Sequence, residues 1–426
     1  MNPFARRPSL AMAAAFFFLS LCAGAKAAPP LTLNYIGQQI VPTGTAFAGT
    51  TVGGLSAIDY NRATGNYFAI SDDRSALGPA RFYELSLNLS QFQRSANPGM
   101  AGVNFSAVTT LLTPAGTPFA TNTVDPEGLR YNPATTSFYW SNEGQRSSAG
   151  LQAPTVTEMR PDGSHLRSFS VPGRYLPVGS AAGNQAGDRG IVNNLAFESL
   201  TVSVDGTTLY TATENALVQD GPVASLANGS PVRLLSFDIA SGTSRAEYIY
   251  NVSPVALAPQ PASGFATNGL VDLLAIGDRE FIAIERSFSA GAVTPGTPVT
   301  GNTIRLYHLD ARNATDVSAL DSIAGVANIV AVEKTLLLDL SDLRNDDGSA
   351  LALDNIEGLT LGPMVNGQQT LLLVADNNFS DSQFTQFVAL SMAPVPEPHA
   401  LALSLAGLLA VGAVVRRTRG AAAPGV

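Results

Sequence analysis

The chain has 426 residues, 45% of them hydrophobic and 13% charged, with a formal net charge of −9. That balance suits a globular protein with a large core and excludes a disordered chain. The single cysteine is Cys22, near the N-terminus, so the body offers no disulfide, no cysteine nucleophile and no cysteine-bound zinc.

Residues 1–27 carry Arg6 and Arg7, an apolar run and the triplet Ala25-Lys26-Ala27, the order of a secretory signal peptide. Leu21, just before Cys22, is too large for lipoprotein processing. From there one pattern recurs: an apolar strand, Asn/Asp/Gly turn chemistry, then an aromatic or β-branched strand ending on an acid. Its five instances span 53–73, 127–143, 198–214, 269–285 and 357–376, closing on Asp72, Glu143, Glu214, Glu285 and Asp376. A third strand follows in "RFYELSL" (81–87), "RLLSFDI" (233–239) and "IRLYHLD" (304–310).

Such a repeat without helical periodicity predicts an all-β fold, a β-propeller of five to seven blades around a central acidic channel. Six blades are favoured, because the long last interval, with "VEKTLLLDLSDL" (332–343), has room for one more. The strand "LTLNYIG" (31–37) is expected to complete the last blade and close the ring.

The body is bounded at 28–393. Beyond it, residues 394–420 hold Pro396-Glu397-Pro398, the uncharged stretch 400–415 and the bases Arg416, Arg417 and Arg419. An apolar helix of that length with its basic end in the cytoplasm inserts, at least transiently, in a membrane. The three features together resemble a PEP-CTERM sorting signal. In Gram-negative bacteria that make extracellular polysaccharide, the resemblance implies processing by an exosortase and delivery to the cell surface or matrix. An ordinary membrane anchor is the alternative. Taking off both ends removes six bases and Glu397, leaving 18 bases and 32 acids, a net charge of −14. No nucleic acid is expected on such a surface, whereas metal cations suit it.

Glu127, Glu198 and Glu357 occupy one place in their hairpins, so a propeller brings them together around the axis. Converging carboxylates repel unless a cation joins them, which points to a hard, oxygen-liganded metal, calcium before magnesium. The opposing reading pairs them with Arg130, Arg286 or backbone amides. The pattern departs in two blades: Gly54 takes the glutamate position in the first hairpin, and the nearest acid in the fourth is Asp272. No G-x-S-x-G elbow, P-loop or dinucleotide glycine motif occurs. The body's two histidines, His165 and His308, do not suggest a triad or a multi-histidine zinc site.

The stretches "GGLSAIDY" with "SDDR" (71–74), "DPEGLRY" with "WSNE", "NNLAFESLTVSVDGTTLYTATENAL" (193–217), "LLAIGDREFIAIERSFS" (273–289), "DNIEGLTLGP" (354–363) and "ADNNFSDSQFTQFVAL" (375–390) run in order across the body. They resemble the phytase-like family of secreted propellers, described as having esterase-like activity of phytase. The resemblance implies metal ligands at Asp72, Asp73, Glu127, Glu143, Glu198, Glu214, Glu285, Glu357 and Asp376, with Asn377 and Asn378 as neutral donors. It implies catalytic roles for Glu127, Glu198 and Glu357, with Arg74, Arg286 and Lys334 meeting phosphate. The expected function is calcium-dependent hydrolysis of a small-molecule phosphoric or related ester. A non-catalytic matrix or adhesion propeller with a structural metal, and a sugar-lactone or carboxylic-ester hydrolase, are the alternatives.

Overall fold

In the computed structural model, residues 31–394 are described; the expected signal peptide at 1–27 and the stretch 400–415, expected to be a helix of a sorting signal, lie outside them. Five four-stranded antiparallel sheets follow one another along the chain. The first blade is Leu55–Tyr60, Tyr67–Ser71, Arg81–Leu87 and Val103–Thr110. The second is Pro126–Asn132, Ser137–Asn142, Thr155–Met159 and His165–Ser168. The third is Phe197–Val202, Thr208–Thr213, Ser230–Asp238 and Ser244–Val252. The fourth is Ala266–Gly277, Glu280–Ser289, Asn302–Asp310 and Glu333–Asp339. The fifth is Asn355–Val365, Gln368–Asp376 and Thr385–Pro394, with Leu31–Val41 as its outer strand.

The first strand of each blade packs on the first strands of both neighbours, so the five form the inner ring of a propeller. The favoured count of six is therefore corrected to five. Glu333–Asp339 pairs with Asn302–Asp310 as the outer strand of the fourth blade, and the extra length goes into the connection 311–332. Leu31–Val41 does close the ring as expected, adding an N-terminal strand to a sheet otherwise built from the C-terminal end of the described chain.

A buried apolar cluster fills each gap between neighbouring blades, because strands with two buried faces need partners on both. Phe68, Phe82 and Phe138 lie between blades one and two, Phe197 and Phe237 between two and three, and Tyr248 and Phe281 between three and four. Ile284 and Ile356 meet between four and five, and Leu55 and Phe387 between five and one. Trp140 belongs to the first of these clusters, edge-on to Phe119 at 5.9 Å. Among the described residues no helix is long and apolar enough to cross a membrane.

Candidate metal and substrate site

Each inner strand has a β-bulge near its start, where its pairing with the second strand slips by one residue. The extra residue is Glu198 in the third blade and Glu357 in the fifth. In the second blade the slip falls at Glu127 and Gly128. A bulge breaks the alternation and re-aims one side chain. That is how a carboxylate in the middle of an otherwise apolar strand comes to face the channel. The same register puts Ser56 in this position in the first blade, which corrects the expectation that Gly54 stands there, and Val271 in the fourth, with Asp272, the nearest acid, directly after it.

The residue closing each second strand sits beside the bulge. It is Asp72, Glu143, Glu214 and Asp376 in blades one, two, three and five. In the fourth blade Leu270 pairs with Glu285 and Gly269 with Arg286, so the closing position belongs to Arg286 and Glu285 lies one step outside the ring. Four blades thus contribute acids, and one contributes a guanidinium.

These side chains surround an open cavity of about 620 Å³, lined among others by Asp72, Arg74, Glu127, Glu198, Arg286 and Glu357. Asp376 and Asn378 line it too, as do three residues that the hairpin pattern did not single out, Asp125, Asn194 and Asn355. Carboxylate oxygens of Asp125, Glu127 and Glu143 come within 4.8 Å of one another, and so do those of Glu143, Glu198 and Glu214. Glu143 is the shared member of both groups.

Two arginines answer the eight carboxyls Asp72, Asp125, Glu127, Glu143, Glu198, Glu214, Glu357 and Asp376. Arg286 reaches Glu357 at 3.0 Å and Glu214 at 3.5 Å. Arg74 pairs with Asp125, stands 3.8 Å from Glu143 and donates to Asn194 Oδ1 at 2.9 Å. Asn355 donates to Glu357 at 2.9 Å and to Asp376 at 3.3 Å, and the Ala196 amide donates to Glu143 at 2.8 Å.

The imbalance of charge shows in the proton affinities. Burial, then the charges of Glu198, Asp125 and Asp72, hold Glu127 well above the usual carboxylate range. Burial and neighbouring acids do the same to Asp72, Glu143 and Glu198. Burial lifts Glu214 to about 7 even against Arg286, and lifts Asp376, with help from Glu357, to about 8. Asp72 Oδ1 is buried with no hydrogen-bond partner. A buried, acceptor-only cluster with an orphaned oxygen has the donor chemistry of a hard divalent cation site, so these residues fit the expected metal.

Glycine makes the room. A Cβ on Gly54, whose φ is +63°, would lie 2.0 Å from Asp72 Oδ1, and one on Gly269 would lie 2.1 Å from Glu214 Oε1.

Four expected site residues lie elsewhere. Glu285 accepts from the Tyr250 hydroxyl, the Ser253 amide and Lys334, whose ammonium sits 4.9 and 4.4 Å from the ring centres of Tyr250 and Tyr307. Lys334 is therefore held by Glu285 and two aromatic rings, away from the cavity. Asp73 pairs with buried Arg81 at 2.7 Å and accepts from the amides of Ala76 and Leu77. Asn377 spends its Oδ1 on the amides of Gly54 and Phe379, behind the ring.

One step along the inner strands the axis is closed. Arg130 donates to Asp272 at 2.8 and 3.0 Å and to the carbonyls of Ile58, Leu129, Leu273 and Leu359. Asp272 accepts in turn from the amides of Leu273 and Leu359, with the Leu200 amide at 3.5 Å. One ion pair so touches all five blades, and Arg130 serves it rather than the glutamates.

A search of known proteins finds a stretch of 160 residues, 36% of this chain, that is 30% identical to an uncharacterized secreted protein of Arthroderma benhamiae (strain ATCC MYA-4681 / CBS 112371); the stretch spans 30% of that relative. Among solved structures, the Dos1 propeller aligns at 10% identity over 81% of this chain and 69% of its own, with a TM-score of 0.28. U3-55K aligns at 9% identity over 82% of each chain, with a TM-score of 0.32. Neither likeness bears weight, and the propeller rests on the sheet topology. Residues 50–379, which hold all five bulges and all the acids of the ring, match the model of the phytase-like family, esterase-like activity of phytase, and the chain belongs to that family.

Proposed function

We propose that the chain is an exported, metal-dependent hydrolase of phosphoric or related esters, with calcium held by the acidic ring. The observation that carries this reading is the set of six carboxyls lining one open cavity, with Glu143 and Glu214 clustered against them and only two arginines to balance all eight. Glu143 is the natural centre of the cation site, with Asp125, Glu127, Glu198 and Glu214 around it and Asp72 offering its free oxygen. A calcium ion held there supplies charge neutralisation for a bound phosphate and acidifies water. Arg74 and Arg286, each anchored by a carboxylate, present N–H groups to the same cavity and orient the anionic end of a substrate. Glu127, Glu198 and Glu357, re-aimed by the bulges, are the acids closest to the reacting group.

Export is supported by the order of charges and apolar residues at 1–27 and by the secreted description of the fungal relative. The segment 394–420 then serves as the PEP-CTERM signal read by an exosortase, delivering the propeller to the cell surface or a polysaccharide matrix. The test is phosphate release from phytate and simple phosphate esters by the purified protein, with calcium and with chelator. Calcium-dependent turnover supports the reading. No release from any ester, with calcium still raising the melting temperature, would overturn it in favour of a non-catalytic propeller with a structural ion.

A further inference from the structure

The fourth blade is the odd one. Where the other blades line the cavity with carboxylates, it presents Phe265, Phe288, Val299, Thr300 and Asn302 besides Arg286. Phe265 is 66% exposed and Val299 54% exposed, although both are large apolar side chains. Phe265 leans on Phe288 with ring centres 6.2 Å apart and planes tilted by 37°.

The wall is also held in place. Thr294 is buried and its hydroxyl accepts from the amides of Thr300 and Gly301, while the Thr300 hydroxyl donates to the Leu353 carbonyl. Asn302, 4% exposed, faces Phe288 across the ladder and leaves its Oδ1 buried without a partner. The cavity is therefore two-sided, with an acidic, cation-binding side from four blades and a firm apolar side from one. A ligand that fits both has an anionic end and an apolar end.

We infer that the substrate is a phosphate monoester of an apolar alcohol or phenol, its hydrocarbon part resting on Phe265, Phe288 and Val299 and a polar atom near the head meeting Asn302. This rests on the ester-hydrolase reading above and narrows it. A polyol carrying phosphate on every carbon has no face for that wall, and it would demand more cationic groups than Arg74 and Arg286 supply. An apolar body gains affinity by leaving water, roughly two- to fourfold for each methylene that becomes largely buried.

The deciding measurement is calorimetric titration of methylphosphonate, phenylphosphonate, 4-butylphenylphosphonate and inositol hexakisphosphate into the purified protein with calcium, alongside hydrolysis of the matching 4-alkylphenyl phosphates. The leaving-group acidity is nearly constant along that phenyl series, so differences report contact with the wall. Affinity is expected to rise steadily from methyl to butylphenyl, and KM to fall in parallel. Phe265→Ser should flatten that dependence, whereas Val204→Ser, at an exposed apolar residue outside the cavity, should leave it intact. Equal affinity along the series, tightest binding of inositol hexakisphosphate, or no binding of any phosphonate overturns the inference, even if phosphate esters are turned over with calcium. Apolar preference without turnover sinks the hydrolase reading, and with it the role of substrate, while the ligand class inferred here, an anionic head on an apolar body, stands.

Discussion

Asp272→Asn tests whether Arg130, buried on the axis, depends on its counter-charge. In the folded protein both oxygens of Asp272 face Arg130, and two backbone amides from blades four and five approach within 2.9 Å. The substitution keeps the volume but leaves a guanidinium that is 3% exposed without its counter-charge. Breaking one side of a buried pair costs about 3–5 kcal/mol. Over a folded unit of roughly 360 residues, an unfolding entropy of about 2.1 cal/mol/K per residue amounts to about 0.76 kcal/mol/K, so the melting temperature should fall by about 4–7 °C. Scanning calorimetry of the purified protein, with refolding checked on a second scan, reads this directly. The double change Arg130→Met with Asp272→Leu removes both charges and should recover most of the loss. A fall under about 1 °C for Asp272→Asn, or a double variant no better than the single, would refute the argument that the cost comes from a buried guanidinium left without its counter-charge.

The remaining predictions concern the acidic ring. Without metal, Glu214 at about 7 and Asp376 at about 8 hold protons more tightly in the folded than in the unfolded chain. Their contribution is therefore full below the ordinary carboxylate range and is lost as pH rises through 7 and 8. The melting temperature in chelator should fall between pH 5 and 8.5, and added calcium should restore more at pH 8.5 than at pH 5; a flat profile in chelator contradicts the raised proton affinity that burial gives these acids. Glu143→Gln, which takes one oxygen's charge from both carboxylate groups, should abolish the calcium-induced rise in melting temperature. In the parent protein that rise should be about 3–4 °C at a hundredfold excess over Kd, from about 2.7 kcal/mol of linkage; a full shift in the variant places the ion elsewhere. Gly54→Ala puts a Cβ 2.0 Å from Asp72 Oδ1 at a φ of +63°, so it should destabilise the protein by at least about 1 kcal/mol and weaken calcium binding, both measurable in one titration followed by melting.

Much of this was legible in the sequence because a hairpin is a local object. Alternating apolar residues and turn chemistry fix each strand pair within about twenty residues, and a spacing of 71 between closing acids in the first three hairpins carries the ring geometry directly. The fourth blade escaped for a physical reason. Its second strand meets the bulge one residue later than a count of 71 implies, so Glu285 falls outside the ring and Arg286 inside it. A bulge adds a residue on one strand only, and alternation of apolar residues does not reveal on which strand it falls. Asp125 and Asn194 escaped because they sit on segments leading into their strands, placed by packing rather than by the hairpin pattern. Arg130 and Asp272 lie 142 residues apart, and nothing local says that they meet on the axis.

The missed blade is also the informative one. A ring of five equivalent acidic blades would bind a cation symmetrically and give a substrate no preferred orientation. The first blade lacks only the bulged acid, with Ser56 in its place beside the closing Asp72, whereas the fourth lacks both, with Arg286 at the closing position and Val271 at the bulge. The same blade carries the exposed Phe265 and Val299. Arg286 spans from Glu214 to Glu357, so its guanidinium meets the acids on both flanks of the blade that differs. Asymmetry of charge and asymmetry of apolar surface coincide there, and under the proposed reading that coincidence gives the cavity a direction: hydrocarbon toward Phe265 and Val299, anion toward Arg286, Arg74 and the ion held by the acids of the other blades.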